Sequence, residues 1–209
     1  MRSICLALGS LVLSTLALTA HAEPITFTET LTGSTLFGSS AFTTQPITIT
    51  GTGNTNNVVF SSALGEYTLL LSSATVQLGS GPVNKFSGSV EAFVSDDGFI
   101  AGFEQLTPTN VNIAAVTGEF NGSSFSDPFA GFMLDSSISE TGGTQVPASS
   151  TVFSTTGGSF DFFTFSDTAT FSSTVSPAVP EPSSIALLAT GLLGVVEAAR
   201  RKFRVSQSL

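Results

Sequence analysis

The side chains best suited to chemistry are scarce: one imidazole, His21, one thiol, Cys5, and fifteen carboxylates in 209 residues. Cys5 lies inside an apolar stretch from Ile4 to Leu18, and His21 lies in Ala20-His21-Ala22, which has the small-x-small form of a signal peptidase site. Cleavage after Ala22 leaves a mature chain that begins at Glu23 and holds neither group. A Ser-His-Asp or Cys-His relay, a disulfide framework and an ordinary zinc or copper centre are thereby excluded, and no cofactor is expected. Carboxylates remain. Glu91, Asp96, Asp97 and Glu104 lie within one short stretch and are the candidates for a paired-acid glycosidase, although a chain this rich in acids supplies such pairs by chance. Asp96 and Asp97 are also the only metal candidates, for calcium. No Asp-x-Asp-x-Asp-Gly loop accompanies them, and Asp96-Asp97-Gly98 reads equally as a hairpin turn.

The leader defines the first zone, residues 1–22. Arg2, the apolar stretch, and then Ala20 and Ala22 follow the order of a secretory signal, so signal peptidase is an expected partner. From Glu23 to Val179, thirteen carboxylates face a single cation, Lys85, a net charge of −12. Such a surface cannot neutralise phosphates, which excludes nucleic acid as a partner.

The elements that must position these groups are strands. In the second zone, residues 23–178, apolar residues recur at period two, as in Ile25-Thr26-Phe27-Thr28, Ile47-Thr48-Ile49-Thr50, Phe86 to Phe93 and Thr168-Ala169-Thr170-Phe171. Turn signals fall at Gly51-Thr52-Gly53-Asn54, Gly79-Ser80-Gly81-Pro82, Asp96-Asp97-Gly98, Asn121-Gly122, Gly142-Gly143 and Gly157-Gly158. The expected fold is all-β, an antiparallel β-sandwich or jelly roll. Thr is expected on wet strand faces and the nineteen Phe in a core without Trp. Phe160, Phe162, Phe163 and Phe165 could alternatively form an exposed sugar-stacking platform. Asp135 to Ser150 reads as a long surface loop. Ice binding would need a flat regular array of Thr, and Ile47-Thr48-Ile49-Thr50 offers one strand without a repeat, so ordinary alternation is preferred.

The third zone, residues 179–209, is a constellation. Val179-Pro180-Glu181-Pro182-Ser183-Ser184 precedes an apolar stretch, and Arg200, Arg201, Lys202 and Arg204 close it. Pro182 suits a helix start, and Ser183 or Ser184 can cap it. Ser183 to Ala199 would reach about 25 Å as a helix, slightly short of a hydrocarbon core of roughly 30 Å. Glu197 departs from a clean span but can pair with Arg200 and Arg201. The basic cluster orients such a helix with its C-terminus in the cytoplasm and the acidic domain outside.

This block resembles the PEP-CTERM sorting signal of exported proteins of Gram-negative bacteria, with Pro180, Glu181 and Pro182 as its motif. The resemblance implies recognition by an exosortase, a membrane-embedded transpeptidase-like enzyme that removes the tail, and delivery through an inner-membrane intermediate to the cell surface or the exopolysaccharide matrix. It brings exopolysaccharide in as an expected partner. The expectation for the whole chain is an exported, non-enzymatic surface or matrix protein, anchored in the membrane by its C-terminal helix before processing. The alternatives are a calcium- or carbohydrate-binding module and, further off, a carboxylate glycosidase. Asn121-Gly122-Ser123 adds an Asn-x-Ser glycan acceptor pattern.

Overall fold

Threonine alternating with apolar residues builds the central strand. In β1 (Pro24–Phe37), Ile25, Phe27, Glu29 and Leu31 are buried while Thr26, Thr28, Thr30 and Thr32 reach the surface. The computed structural model describes residues 23–106, 111–117, 120–121, 124–125, 127–145, 151–177, 190–192 and 194–195. The chain divides into two units, residues 1–176 and 177–209, and the strands belong to the first. After β1 come β2 (Ser40–Asn54), β3 (Val58–Ser61), β4 (Glu66–Leu70), β5 (Ser73–Leu78), β6 (Val83–Lys85) and β7 (Val90–Ser95). The chain continues through β8 (Ile100–Gln105), β9 (Val111–Thr117), β10 (Phe120–Asn121), β11 (Ser124–Phe125), β12 (Ile138–Gln145), β13 (Phe153–Thr155) and β14 (Gly158–Val175).

Twelve strands form one antiparallel sheet in the order β3-β4-β7-β8-β9-β12-β14-β1-β2-β5-β6, with β13 paired to β14, and β10 and β11 form a separate hairpin. Open twisted sheets beyond about ten strands tend to curl, and this one lays β4 and β8 over β2. Gly51 of β2 and Phe103 of β8 are far apart along the sheet. Even so, a Cβ on Gly51 would lie 2.5 Å from Leu71 Cδ1 and 2.8 Å from Phe103 Cε1. Phe171 of β14 is the hub between the layers. Its ring centroid is 6.0 Å from that of Phe27, 6.0 Å from Phe103, 5.7 Å from Phe129 and 6.3 Å from Phe132. The all-β antiparallel expectation holds, and the two layers come from one curled sheet.

A second closure occurs at the β6 end. Phe86 bridges Thr155, Thr156 N donates to Lys85 O at 2.8 Å and Ser87 N donates to Ser154 O at 2.9 Å. These bonds join β6 to β13 and complete a ring of β14, β1, β2, β5, β6 and β13. Phe86, Phe153, Phe160 and Phe162 fill it.

Three local expectations change. Gly51 to Asn54 is no turn: β2 runs through it, and Gly51 and Gly53 face inward, where a side chain would collide with the opposite layer. The supposed loop from Asp135 to Ser150 contains β12, which lies between β9 and β14. Its Gly142-Gly143 pair admits a close approach of Thr117 instead of turning the chain. Finally, Phe86 to Phe93 is broken, because Phe86 belongs to the ring closure and β7 begins only at Val90. The leader, residues 1–22, lies outside the described residues, as does most of the expected C-terminal helix. Residues 190–192 and 194–195 are helical. Among the described residues no helix is long and apolar enough to cross a membrane.

Candidate functional site

The four acids grouped by sequence separate into two places on one hairpin. Glu91 and Glu104 stand directly opposite each other on β7 and β8, both buried, and their carboxyls are hydrogen-bonded to each other. Burial is the main cause that lifts Glu104 from an ordinary 4.5 to about 8, aided by the bond with Glu91 and by the charges of Glu66 and Glu91. Glu104 Oε1 has no hydrogen-bond partner among the described residues. Asp96 and Asp97 occupy the turn at the hairpin's other end. Asp97 Oδ1 accepts from Ser95 Oγ at 2.6 Å and from Phe99 N at 3.0 Å, and these bonds hold its carboxyl below the ordinary range. Among the described residues, no three His, Cys, Asp or Glu side chains are grouped to hold a metal ion.

Sequence reasoning missed Glu29. It takes the inward parity of β1, is fully buried, and neither carboxylate oxygen has a partner among the described residues. Burial raises its pKa well above 4.5, which favours the neutral acid in the core. The available signal was its position in the series Ile25, Phe27, Glu29, Leu31.

The outer face of the same strands carries an array that no single strand reveals. Register aligns Ser139, Ser172, Thr28, Thr50 and Thr75 across β12, β14, β1, β2 and β5. The next row reads Thr141, Thr170, Thr30, Thr48 and Gln77. On the other side stand Thr174, Thr26, Thr52 and Ser73. None of these positions is ionisable, and Lys85, opposite Thr75, marks the border. Neighbouring strands repeat at about 4.8 Å and like-facing residues at about 6.8 Å, so the hydroxyls form a two-dimensional lattice. Thr141 Oγ1 and Thr170 Oγ1 are hydrogen-bonded across strands at 2.8 Å. The alternation expected at Ile47 to Thr50 is present, and strand pairing adds a repeat across strands that the linear sequence lacks.

At the end of the β6–β13 ring, the turns at residues 38–39, 79–82 and 156–157 enclose an open cleft of about 430 Å³. Phe37, Phe42, Leu78 and Pro82 supply its apolar surface, and Ser39, Ser40 and Asn84 its polar edge. Phe42 is 37% exposed. It lies two residues before Thr44, a β-branched residue held at φ 51°, where the β1–β2 register shifts between Gly33 and Thr35. A bulge of this kind re-aims a side chain. Of the phenylalanines weighed as a stacking platform, Phe160 and Phe162 are buried and only Phe163 and Phe165 are exposed.

The sorting constellation lies outside the described residues, apart from the helical positions given above. Residues 178–202 match the family model of the PEP-CTERM protein-sorting motif. That stretch contains Pro180, Glu181, Pro182, Arg200, Arg201 and Lys202, and Arg204 falls just beyond it. No curated protein and no solved structure matches the chain. The chain carries a PEP-CTERM sorting segment. This marks an exported protein that an exosortase-like enzyme processes.

Proposed function

We propose that the chain is a non-catalytic protein of the cell surface or extracellular matrix, brought there by its sorting segment and held to exopolysaccharide by the hydroxyl array. The observation that carries this reading is the array itself: three aligned rows without an ionisable group, on a domain whose net charge is −12. A solvated sheet face ordinarily mixes charges of both signs. A face of neutral donors and acceptors instead suits a neutral, hydroxyl-rich polymer, which exchanges hydrogen bonds with it without stripping an ion of water. The secretory leader and a mature segment without imidazole or thiol fit the same reading.

The test compares cells producing the whole chain with cells producing a chain that lacks residues 178–202. The protein should be recovered from the washed matrix in the first case and from the periplasm in the second. Equal matrix retention without the segment would contradict the proposed route. One other reading, ice binding, is favoured by a specific observation, because strand pairing repeats Thr across neighbouring strands of the outer face. Inhibition of ice recrystallisation by the purified protein, absent in a Thr28→Lys variant, would support it.

A further inference from the structure

We infer that the cleft at the mouth of the β6–β13 ring is a binding site for a single neutral pyranose unit of a polysaccharide. This names the ligand class for the matrix-binding reading above and rests on that reading only for the identity of the polymer.

The charge of the site comes first. Thirteen carboxylates surround this domain, yet none lines the cleft, and no cation does either. An anionic sugar would meet the domain's negative field without a counter-charge, and a cationic ligand would find no carboxylate to pair with. A neutral ligand avoids both costs.

The chemistry of the walls comes second. A pyranose presents an apolar face of C–H groups and an equatorial belt of hydroxyls. Phe37 and Phe42 offer ring surface, and the side chains of Ser39 and Ser40 and the Oδ1 of Asn84 hydrogen-bond to no other described residue. Asn84 is held in place, because its Nδ2 donates to Pro82 O at 3.0 Å. Both parts of a sugar ring thus find a counterpart in one cleft, whereas a purely apolar ligand would leave the polar edge unpaired.

The build of the cleft points the same way. A Cβ on Gly157 would collide with Asn84 Oδ1 and lie 2.6 Å from Phe37 Cε1, so glycine there lets the Asn84 amide and the Phe37 ring pack side by side against the turn as one wall of the cleft. Strain at Thr44 is concentrated beside Phe42, the ring most exposed at the rim. A β-branched residue in the left-handed region persists only where its surroundings enforce it. The volume suits a small ligand, since ligand pockets span roughly 300–1,000 Å³, and barrel mouths are a common location. The cleft is open to solvent, so the neighbouring sugars of a chain can continue outward.

The full chain, purified in detergent, should be titrated by calorimetry with cellohexaose, maltohexaose and mannohexaose, and with hexagalacturonate as the charged control. At least one neutral hexasaccharide should bind with a Kd of about 0.1–1 mM. Phe42→Ala and Ser40→Arg, both at exposed positions, should each weaken it at least about tenfold, whereas Phe165→Ala, an exposed ring outside the cleft, should leave it unchanged. The inference is overturned by silence of all three neutral sugars up to about 10 mM, by tighter binding of hexagalacturonate, or by binding that survives both cleft variants. These results are separable from failure of the matrix reading. Retention on a whole polymer through the hydroxyl array does not depend on Phe42 or Ser40.

Discussion

The two layers of the curled sheet solve different problems with the same kind of strand. In the β12-β14-β1-β2-β5 layer one face is dry and the other wet, so apolar and hydroxyl residues alternate over long stretches, as in Ile47-Thr48-Ile49-Thr50. In the β7-β8-β9 layer the alternation disappears: Val90 to Val94, Ala101 to Glu104 and Ile113 to Val116 are buried on both faces. The first layer displays an uncharged lattice to solvent, while the second encloses the acid pair Glu91–Glu104. Burial, more than any local motif, therefore decides which carboxylates are perturbed: Glu104 in the doubly covered layer and Glu29 on the dry face of β1.

If Phe171 is the hub between the layers, Phe171→Ala should cost about 3–5 kcal/mol in denaturant unfolding, whereas Thr28→Ala on the wet face should stay within about 0.5 kcal/mol. Comparable losses at the two sites would erase the distinction between the faces. A smaller penalty, about 1–3 kcal/mol, is expected for Gly51→Ala, because the new methyl meets Leu71 and Phe103 of the opposite layer. An unchanged midpoint would mean that the layers are not tightly apposed there.

Acidity gives the next contrast. Glu29 and Glu104 have pKa values raised above 4.5 in the folded chain. Between the unfolded and folded values the unfolded chain binds fewer protons, so the stability these groups provide is complete below about pH 4.5 and declines as pH rises. For Glu104 the decline should run to about pH 8, and for Glu29 it should begin at the same lower limit. Thermal melts from pH 4 to pH 9 should therefore show Tm falling with pH, and Glu104→Gln should flatten the curve below pH 8. A curve that rises through this window would contradict the burial of both acids. The smallest effect concerns the β7–β8 turn. Millimolar calcium should leave Tm unchanged, because Asp97 already accepts from Ser95 and Phe99. A calcium-dependent rise that Asp97→Asn abolishes would reinstate the metal reading.

Much of the wet layer was legible in the sequence, because one-sided burial writes itself as alternation. Ile25 to Thr28, Ile47 to Thr50 and Thr168 to Phe171 are all strands as expected. Glycine was the main source of error. Gly51, Gly53 and Gly142 read as turns because glycine is common in turns, yet here each admits a close neighbour within a strand. The hydroxyl array and the acid pair were hidden for a different reason: both depend on which strands pair and in what register, and a linear pattern does not carry that. Glu104 and Glu91 are thirteen residues apart in sequence and directly opposite in space. The sorting segment was readable because its parts are contiguous: Pro180-Glu181-Pro182, an apolar stretch and a basic tail.

The central claim is that a charge-free hydroxyl face holds the exported domain to a neutral polymer. Co-sedimentation of the purified protein with matrix polysaccharide addresses it most directly, comparing the natural chain with Thr28→Lys/Thr170→Lys, which places two ammonium groups in adjacent rows. The account predicts that the natural chain pellets with the polymer and that the variant, with an unchanged melting temperature, stays in the supernatant. Equal pelleting of the two proteins would contradict it.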